Sequence, residues 1–181
     1  MELIAYADVQ QLRTWLDEGE LSSVALVRAM LERIAALDAQ GTETALHAVI
    51  AVAADVMAQA ERCDAERGAG IAQGALHGIP LIIKDNIEAV DLPGTAGSLA
   101  LADSAPTADA PVVQALRAAG AIVMASTNLS EWANMRSTRS TSGWSARGGL
   151  TLNPYALDRN TSGSSSGSGA SIAASLAAVA V

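Results

Sequence analysis

Apolar residues recur at helical spacing in the first part of the chain. Over 26–37 they face one side of a helix, with charged residues between them; they are Leu26, Val27, Met30, Leu31, Ile34 and Leu37. Similar patterns predict helices over 9–18 and 53–67, and the short apolar run 45–52 is compatible with a strand. We therefore predict a mainly helical region over 1–70.

The pattern changes after residue 70. The stretch 78–86 contains the apolar, β-branched run that is typical of a buried strand, and 121–125 does so again. The segment 109–119 between them has helical periodicity. A strand, a helix and a strand in this order indicate a parallel α/β unit. We predict an α/β fold with a parallel-type sheet flanked by helices, in which 71–181 begins the α/β core of one domain.

Polar residues become frequent in the last third of the chain. Residues 129–135 predict a short helix, capped by Asn128 or Ser130. The following stretch 136–169 is rich in Ser, Thr, Gly and Asn, and small apolar residues return over 170–180. This last run predicts a tightly packed helix that passes into a strand near its end.

Composition and charge exclude several classes of function. Half of the 181 residues are apolar and the net charge is −8, which argues against a nucleic-acid binder and against an anionic membrane surface as partner. No run reaches the roughly 18 apolar residues of a membrane span, and the first residues lack a secretory signal pattern, so we expect a cytoplasmic protein. The single cysteine, Cys63, excludes an internal disulfide, and no motif suits zinc. His77 is expected to make a structural hydrogen bond.

Lys84 is the only lysine of the chain and ends an apolar run, where a solvated cation would be out of place. Burial lowers the pKa of a lysine readily, so that its amine can act as a base near neutral pH. The alternative is a structural ion pair with Asp85 or another carboxylate. The residues by themselves leave both roles open.

The loop 160–169 reads Asn-Thr-Ser-Gly-Ser-Ser-Ser-Gly-Ser-Gly and leads directly into an apolar helix. A flexible linker does not usually abut a buried helix. A phosphate-binding loop would end in Gly-Lys-Ser/Thr, which is missing here. The third interpretation is a catalytic serine loop, for which Lys84 would be the base.

Five segments resemble, in the same order, the motifs of the amidase-signature family. They are His77-Gly78-Ile79-Pro80 through Lys84-Asp85-Asn86, Thr95-Ala96-Gly97-Ser98, the stretch from Ala118 to Glu131, Asn153-Pro154-Tyr155, and the run from Gly163 to Ser168. The resemblance spans about 76–181. Ser126 stands where the family commonly has lysine, and Asn160-Thr161 replaces a Ser/Thr-Pro pair. The segment 140–149 is similar to a bacterial subgroup that includes peptide amidases.

The resemblance implies a Ser–cis-Ser–Lys amidohydrolase that releases ammonia from a small amide or a peptide C-terminal amide. Lys84 would be the base and Ser164 the bridging serine on a cis peptide bond, with Ser165 as the alternative register. Neither a metal ion nor an organic cofactor is implied. The candidate substrate-binding residues are Ser162, Gly163, Met135 and Trp144; structural packing is the alternative role for the last two.

In this family the nucleophile lies about two dozen residues beyond the bridging serine, which is roughly seven residues past Val181. We therefore expect the 181 residues alone to be inactive. Two other functions share the motifs: the glutaminase subunit of a tRNA amidotransferase, and a non-catalytic fragment that keeps only the fold.

Overall fold

Helices and short strands alternate along the chain in the computed structural model, which describes residues 2–39, 41–71 and 74–181. The α-helices of these residues are α1 (Glu2–Tyr6), α2 (Val9–Glu18), α3 (Ser23–Leu37), α4 (Val56–Gly68), α5 (Pro111–Ala118) and α6 (Ser166–Ala173). The strands are β1 (Val49–Val52), β2 (Pro80–Lys84), β3 (Ile122–Thr127), β4 (Trp144–Ser145) and β5 (Gly149–Leu150), and 3₁₀ turns cover Leu99–Leu101 and Glu131–Asn134. No described helix combines the length and the apolar character that crossing a bilayer requires.

Local capping signals explain where the first helices begin and end. Gly19 ends α2 with φ 74°, a left-handed conformation that glycine adopts without steric cost. Ser22 caps α3, because its hydroxyl accepts a hydrogen bond from the Ala25 backbone N–H at 3.0 Å. The neighbouring Ser23 N–H is already bound by the carboxylate of Asp64 on α4, at 2.7 Å. This contact joins the start of α3 to α4.

The central sheet has the order β1-β3-β2. Strands β2 and β3 are parallel, which confirms the predicted α/β unit. Strand β1 runs antiparallel to β3, so the sheet is mixed, an arrangement that is common where one edge strand is added to parallel neighbours. On the other side of β2, the Ile82 N–H donates to Val179 O at 3.1 Å and the Val181 N–H donates to Ile82 O at 3.0 Å. The predicted strand near the end of the chain is therefore paired with β2.

The two parallel strands form the centre of the core. Every residue of β3 is buried, and so is every residue of β2 before Lys84. Helical side chains that cover the sheet include Leu12, Leu16, Leu26 and Val27, all fully buried. Each such burial stabilises the fold by about 1.5–3 kcal/mol. With its first four residues inside this core, β2 brings its terminal lysine to the edge of it.

The polar second half folds differently from the local prediction. The predicted helix over 129–135 is a 3₁₀ turn in which Trp132 and Ala133 both have φ 52°, and Ser130 provides no side-chain cap. Tertiary contacts override the helical pattern, because the Trp132 N–H donates to Ala96 O at 3.0 Å. The stretch 136–169 is packed on the domain, where the Leu152 N–H donates to Leu46 O at 2.8 Å. Helix α6 begins at Ser166, inside the serine loop rather than after it.

We expect Gly167→Ala to lower the free energy of unfolding by about 1–3 kcal/mol or more, as overpacking of buried positions does. A Cβ atom at Gly167 would collide with the carbonyl oxygen of Ala48 and lie 2.5 Å from the backbone nitrogen of Asn128. The matched control is Gly169→Ala on the same helix, where a Cβ would meet no atom within 4 Å. At position 169 alanine should raise the free energy of unfolding by about 0.5–1 kcal/mol, because glycine is the more flexible residue within a helix. Urea unfolding of both variants checks this, and equal stabilities would contradict the packing.

Candidate active site

Lys84 and Ser164 come together at the end of β2. The Lys84 Nζ donates a hydrogen bond of 2.8 Å to the Ser164 Oγ, although the two residues are eighty positions apart. The peptide bond between Gly163 and Ser164 is cis. Among the described residues, no hydrogen bond links Lys84 to Ser165, whose side chain is exposed. Of the three consecutive serines, Ser164 is thus the one within hydrogen-bonding reach of the lysine.

The environment of Lys84 favours a neutral amine. The side chain is partly buried, and this desolvation lowers the pKa of Lys84 below its usual range. In the part of the chain that the structure describes, Lys84 forms no ion pair with a carboxylate. The adjacent Asp85 is fully buried and its Oδ2 accepts hydrogen bonds from the Thr95 hydroxyl and, at 3.0 Å, from the Gly97 N–H. The carboxylate is therefore bound to the 95–97 turn and not to the lysine.

Short contacts hold the serine loop in place. The Ser130 N–H donates to Ser164 O at 3.0 Å, and the Ser130 hydroxyl accepts from the Gly143 N–H at 2.9 Å. The Ser166 hydroxyl donates to Ser162 O at 2.7 Å. At Gly163 a Cβ atom would lie 2.5 Å from the Ser130 Oγ, so this position requires glycine. The backbone on both sides of the cis bond is consequently fixed by neighbouring segments.

Asn128, directly after β3, anchors the segments around the loop. Its side-chain NH₂ group shares its two hydrogens among three acceptors within 3.1 Å, which are His47 O, Gly149 O and Thr151 Oγ1. Its side-chain oxygen accepts from the Ser145 hydroxyl at 2.7 Å. Its backbone oxygen accepts from the Gly167 N–H at 2.9 Å, at the start of α6. One buried carboxamide thus ties β3 to the β4–β5 hairpin, while its backbone ties β3 to the serine loop.

The remaining predicted site residues lie at the surface of this region. Ser162 and Gly163 are exposed, and Ser162 has a positive φ of 62°. Met135 is 88% exposed. The guanidinium of Arg136 lies 5.2 Å from the ring centroid of Trp144 and its Nε lies 3.5 Å from a carboxylate oxygen of Glu131. Among the described residues, no hydrogen bond or ring contact joins Met135 or Trp144 to the Lys84–Ser164 pair.

Sequence reasoning missed Asn128 and Ser130 as residues that position the site. It treated both as helix caps, because each precedes a pattern that resembles a helix. The signal that was available is their place in the segment 126–131, directly after a buried strand. Polar side chains at strand ends are a usual source of site residues in α/β folds.

A separate apolar cavity of about 510 Å³ lies between α1, α3 and the segment 172–178. Its lining includes Ile4, Met30 and Ile172 and does not include Lys84 or Ser164. The cavity is therefore distinct from the candidate active site.

Comparison with known proteins identifies the family of the chain. The profile of the Amidase family matches residues 25–181. The chain belongs to the amidase family. Both Lys84 and Ser164 lie inside the matched region.

Individual family members extend the comparison. A probable amidase of Arabidopsis thaliana is 44% identical over 179 residues, covering 97% of this chain and 34% of the relative. A glutamyl-tRNA(Gln) amidotransferase subunit from Symbiobacterium thermophilum is 41% identical over 165 residues, covering 90% of this chain and 32% of the relative. The crystal structure of native peptide amidase from Stenotrophomonas maltophilia superimposes with a TM-score of 0.92 and 50% identity, covering 97% of this chain and 35% of that one. The chain thus spans about a third of the length of these relatives.

Lys84→Met tests the electrostatic environment of the lysine. Because the folded-state pKa is lowered, the unfolded chain binds more protons between this pKa and the usual lysine value, so the stability of the parent rises with pH in that window. Methionine keeps most of the packing and does not titrate. The stability of the parent relative to the variant should therefore increase between pH 7 and pH 10, as measured by urea unfolding. A difference that stays constant with pH would contradict a desolvated lysine.

Proposed function

We propose that residues 1–181 form the N-terminal part of a single amidase domain, and that the whole protein hydrolyses carboxamides to acid and ammonia. The observation that carries the proposal is the 2.8 Å hydrogen bond from the Lys84 Nζ to the Ser164 Oγ at the end of a buried strand. A desolvated lysine next to a fixed hydroxyl is a base and a proton carrier in a suitable position. Membership of the amidase family supports the same chemistry.

The proposed reaction uses the two residues as a proton relay. Neutral Lys84 takes the proton of the Ser164 hydroxyl while Ser164 takes the proton of a nucleophilic serine. The nucleophile attacks the amide carbonyl, and the proton returns through the relay to the departing ammonia, which leaves an acyl-enzyme. Water, deprotonated by the same relay, then releases the acid. No step of this scheme needs a metal ion or an organic cofactor.

The nucleophile of this scheme is proposed to come from a part of the family domain outside the 181 residues. Among the described residues, no hydrogen bond joins the Ser164 Oγ to a second hydroxyl group. The Thr127 hydroxyl is bonded to the Ser168 hydroxyl at 2.8 Å and the Ser166 hydroxyl to Ser162 O, so these groups are engaged elsewhere. The chain covers only about a third of the length of each relative, which supports this proposal.

For the substrate we propose a small amide or the C-terminal amide of a peptide. The likeness to a peptide amidase at 50% identity supports this choice. The net charge of −8 supports the further proposal that nucleic acid and anionic membranes are not partners, and the single cysteine is consistent with a cytoplasmic location. The second candidate is a glutaminase subunit of a tRNA amidotransferase, which the 41% identity to an amidotransferase subunit favours.

A chimera tests the relay. Residues 1–181 are joined to the C-terminal two thirds of the Stenotrophomonas maltophilia peptide amidase, and ammonia release from an N-blocked dipeptide amide is measured. We expect turnover by the chimera and none by the 181 residues alone. Lys84→Ala and Ser164→Ala should each lower kcat/KM by at least about 10³-fold, as losses of triad members do in other serine hydrolases.

The variant Ser165→Ala is the matched control, because it removes the neighbouring hydroxyl, which is not bonded to Lys84. It should keep most of the activity of the chimera. A Lys84→Ala chimera with the full rate would refute the relay, and loss of activity in Ser165→Ala alone would move the bridging role to Ser165.

Glutamine separates the two candidate enzymes. A chimera that releases ammonia from the peptide amide and not from glutamine is the expected result. Release from glutamine that requires the partner subunits of an amidotransferase would instead identify a glutaminase subunit. A chimera that folds, as judged by circular dichroism, and hydrolyses neither substrate would favour the non-catalytic alternative.

A further inference from the structure

Arg136 lies at the surface, next to the indole of Trp144. Its guanidinium carbon is 5.2 Å from the ring centroid, which is within the range of a cation–π contact. Its Nε lies 3.5 Å from one carboxylate oxygen of Glu131. The other oxygen of that carboxylate accepts a hydrogen bond from the Ala146 N–H at 2.7 Å, which ties Glu131 to the β4–β5 hairpin. The guanidinium is therefore held from two sides by fixed partners.

Part of this guanidinium is available to a ligand. The side chain of Arg136 is 36% exposed, and its contact with Glu131 is made through Nε. A guanidinium stacked on an aromatic ring keeps its N–H groups in its own plane, where they can still donate. Within the described part of the chain, no hydrogen bond occupies the two terminal nitrogens. Arg136 is thus an oriented donor with free N–H groups.

Backbone contacts place this donor beside the serine loop. The Ser130 hydroxyl accepts the Gly143 N–H at 2.9 Å, and the Ser130 N–H donates to Ser164 O at 3.0 Å. A Cβ atom at Gly163 would lie 3.7 Å from the Gly143 nitrogen. Since Trp144 follows Gly143, standard backbone dimensions place its Cα within about 10 Å of the Cα of Gly163, which is the span of about three extended residues. A short peptide whose last residue lies at Ser164 can therefore reach Trp144 and the guanidinium stacked on it.

We propose that Arg136 is a specificity-determining residue that binds a backbone carbonyl oxygen of a peptide amide, on the N-terminal side of the amide that is hydrolysed. The inference rests on the proposed amidase function and specifies its substrate class. A peptide C-terminal amide has such a carbonyl, whereas a simple alkyl amide has none. The contacts with Trp144 and Glu131 orient the donor before the substrate binds, which lowers the entropic cost of binding.

The charges around Arg136 favour a neutral acceptor over a carboxylate. Glu131 already offsets the positive charge of the guanidinium. The net charge of −8 also disfavours an anionic substrate. A carbonyl oxygen accepts hydrogen bonds with two lone pairs and carries no charge, so it fits a donor whose charge is already balanced.

Steady-state kinetics of the chimera with the peptide amidase test the role of Arg136. KM and kcat are measured for an N-acetyl dipeptide amide and for hexanamide, which has no carbonyl beyond the scissile amide. Arg136→Met should raise KM for the peptide amide by roughly 10–100-fold, the loss expected for a hydrogen bond to a charged group. It should leave kcat for the peptide amide and kcat/KM for hexanamide as in the parent chimera, because the lost contact is distant from the reacting atoms.

Three further variants sharpen the test. Arg139→Met is the matched control, because it removes an exposed arginine of the same segment; it should behave like the parent with both substrates. Trp144→Leu removes the stacking surface and keeps the guanidinium, so it should raise KM for the peptide amide by less than Arg136→Met does. Arg136→Lys keeps the charge and loses the planar fork, so it should recover only part of the affinity.

A binding measurement separates this inference from the proposed function. Calorimetry with the Lys84→Ala chimera gives the Kd of the uncleaved peptide amide, and adding Arg136→Met should weaken that Kd by the same factor as KM. A parent chimera that hydrolyses neither substrate, with a Kd that still depends on Arg136, would refute the amidase function and support the inference. A Kd that does not change with Arg136→Met, absence of peptide-amide binding, or an equal loss of activity with both substrates would overturn the inference.

Discussion

The geometry of the active-site region depends on the buried carboxamide of Asn128. Its side-chain atoms are bonded to the segment before β1 and to the β4–β5 hairpin, and its backbone oxygen binds the start of α6. A buried polar group that loses its partner costs about 1–3 kcal/mol, so these bonds tend to form together or not at all. The close approach of Gly148 and Gly167 to Asn128, which leaves no room for a Cβ atom, follows from the same constraint.

With α6 held by this anchor, the serine loop has a defined position relative to the sheet. The position of Lys84 is fixed by a different interaction, which is the hydrophobic burial of β2 between its two neighbouring chain segments. The short bond between Lys84 and Ser164 is therefore the meeting point of two independently supported elements. The buried Asp85 is engaged by the 95–97 turn, which leaves the lysine without a carboxylate partner among the described residues. Desolvation then has the largest influence on the pKa of Lys84.

The strand that ends in Lys84 is supported at its start by the helical region of the chain. His77 precedes β2 and Lys84 ends it, so contacts made at His77 act on the strand that carries the lysine. Helix α4 packs on α3 through Asp64 and holds His77 through Arg67. The helical region before residue 70 thus contacts the start of β2 directly.

The sequence by itself determined the elements whose signals are local. Residues close together in the chain determine the buried strands β2 and β3 and the position of Lys84 at a strand end. They also determine the end of α2 at Gly19. The motifs around Lys84 and Ser164 also indicated the amidase family correctly. Only the tertiary structure decided the antiparallel pairing of β1, the left-handed turn at Trp132 and the roles of Asn128 and Ser130. The reason is physical: partners that are distant along the chain supply these interactions, and local propensity is too weak to oppose them.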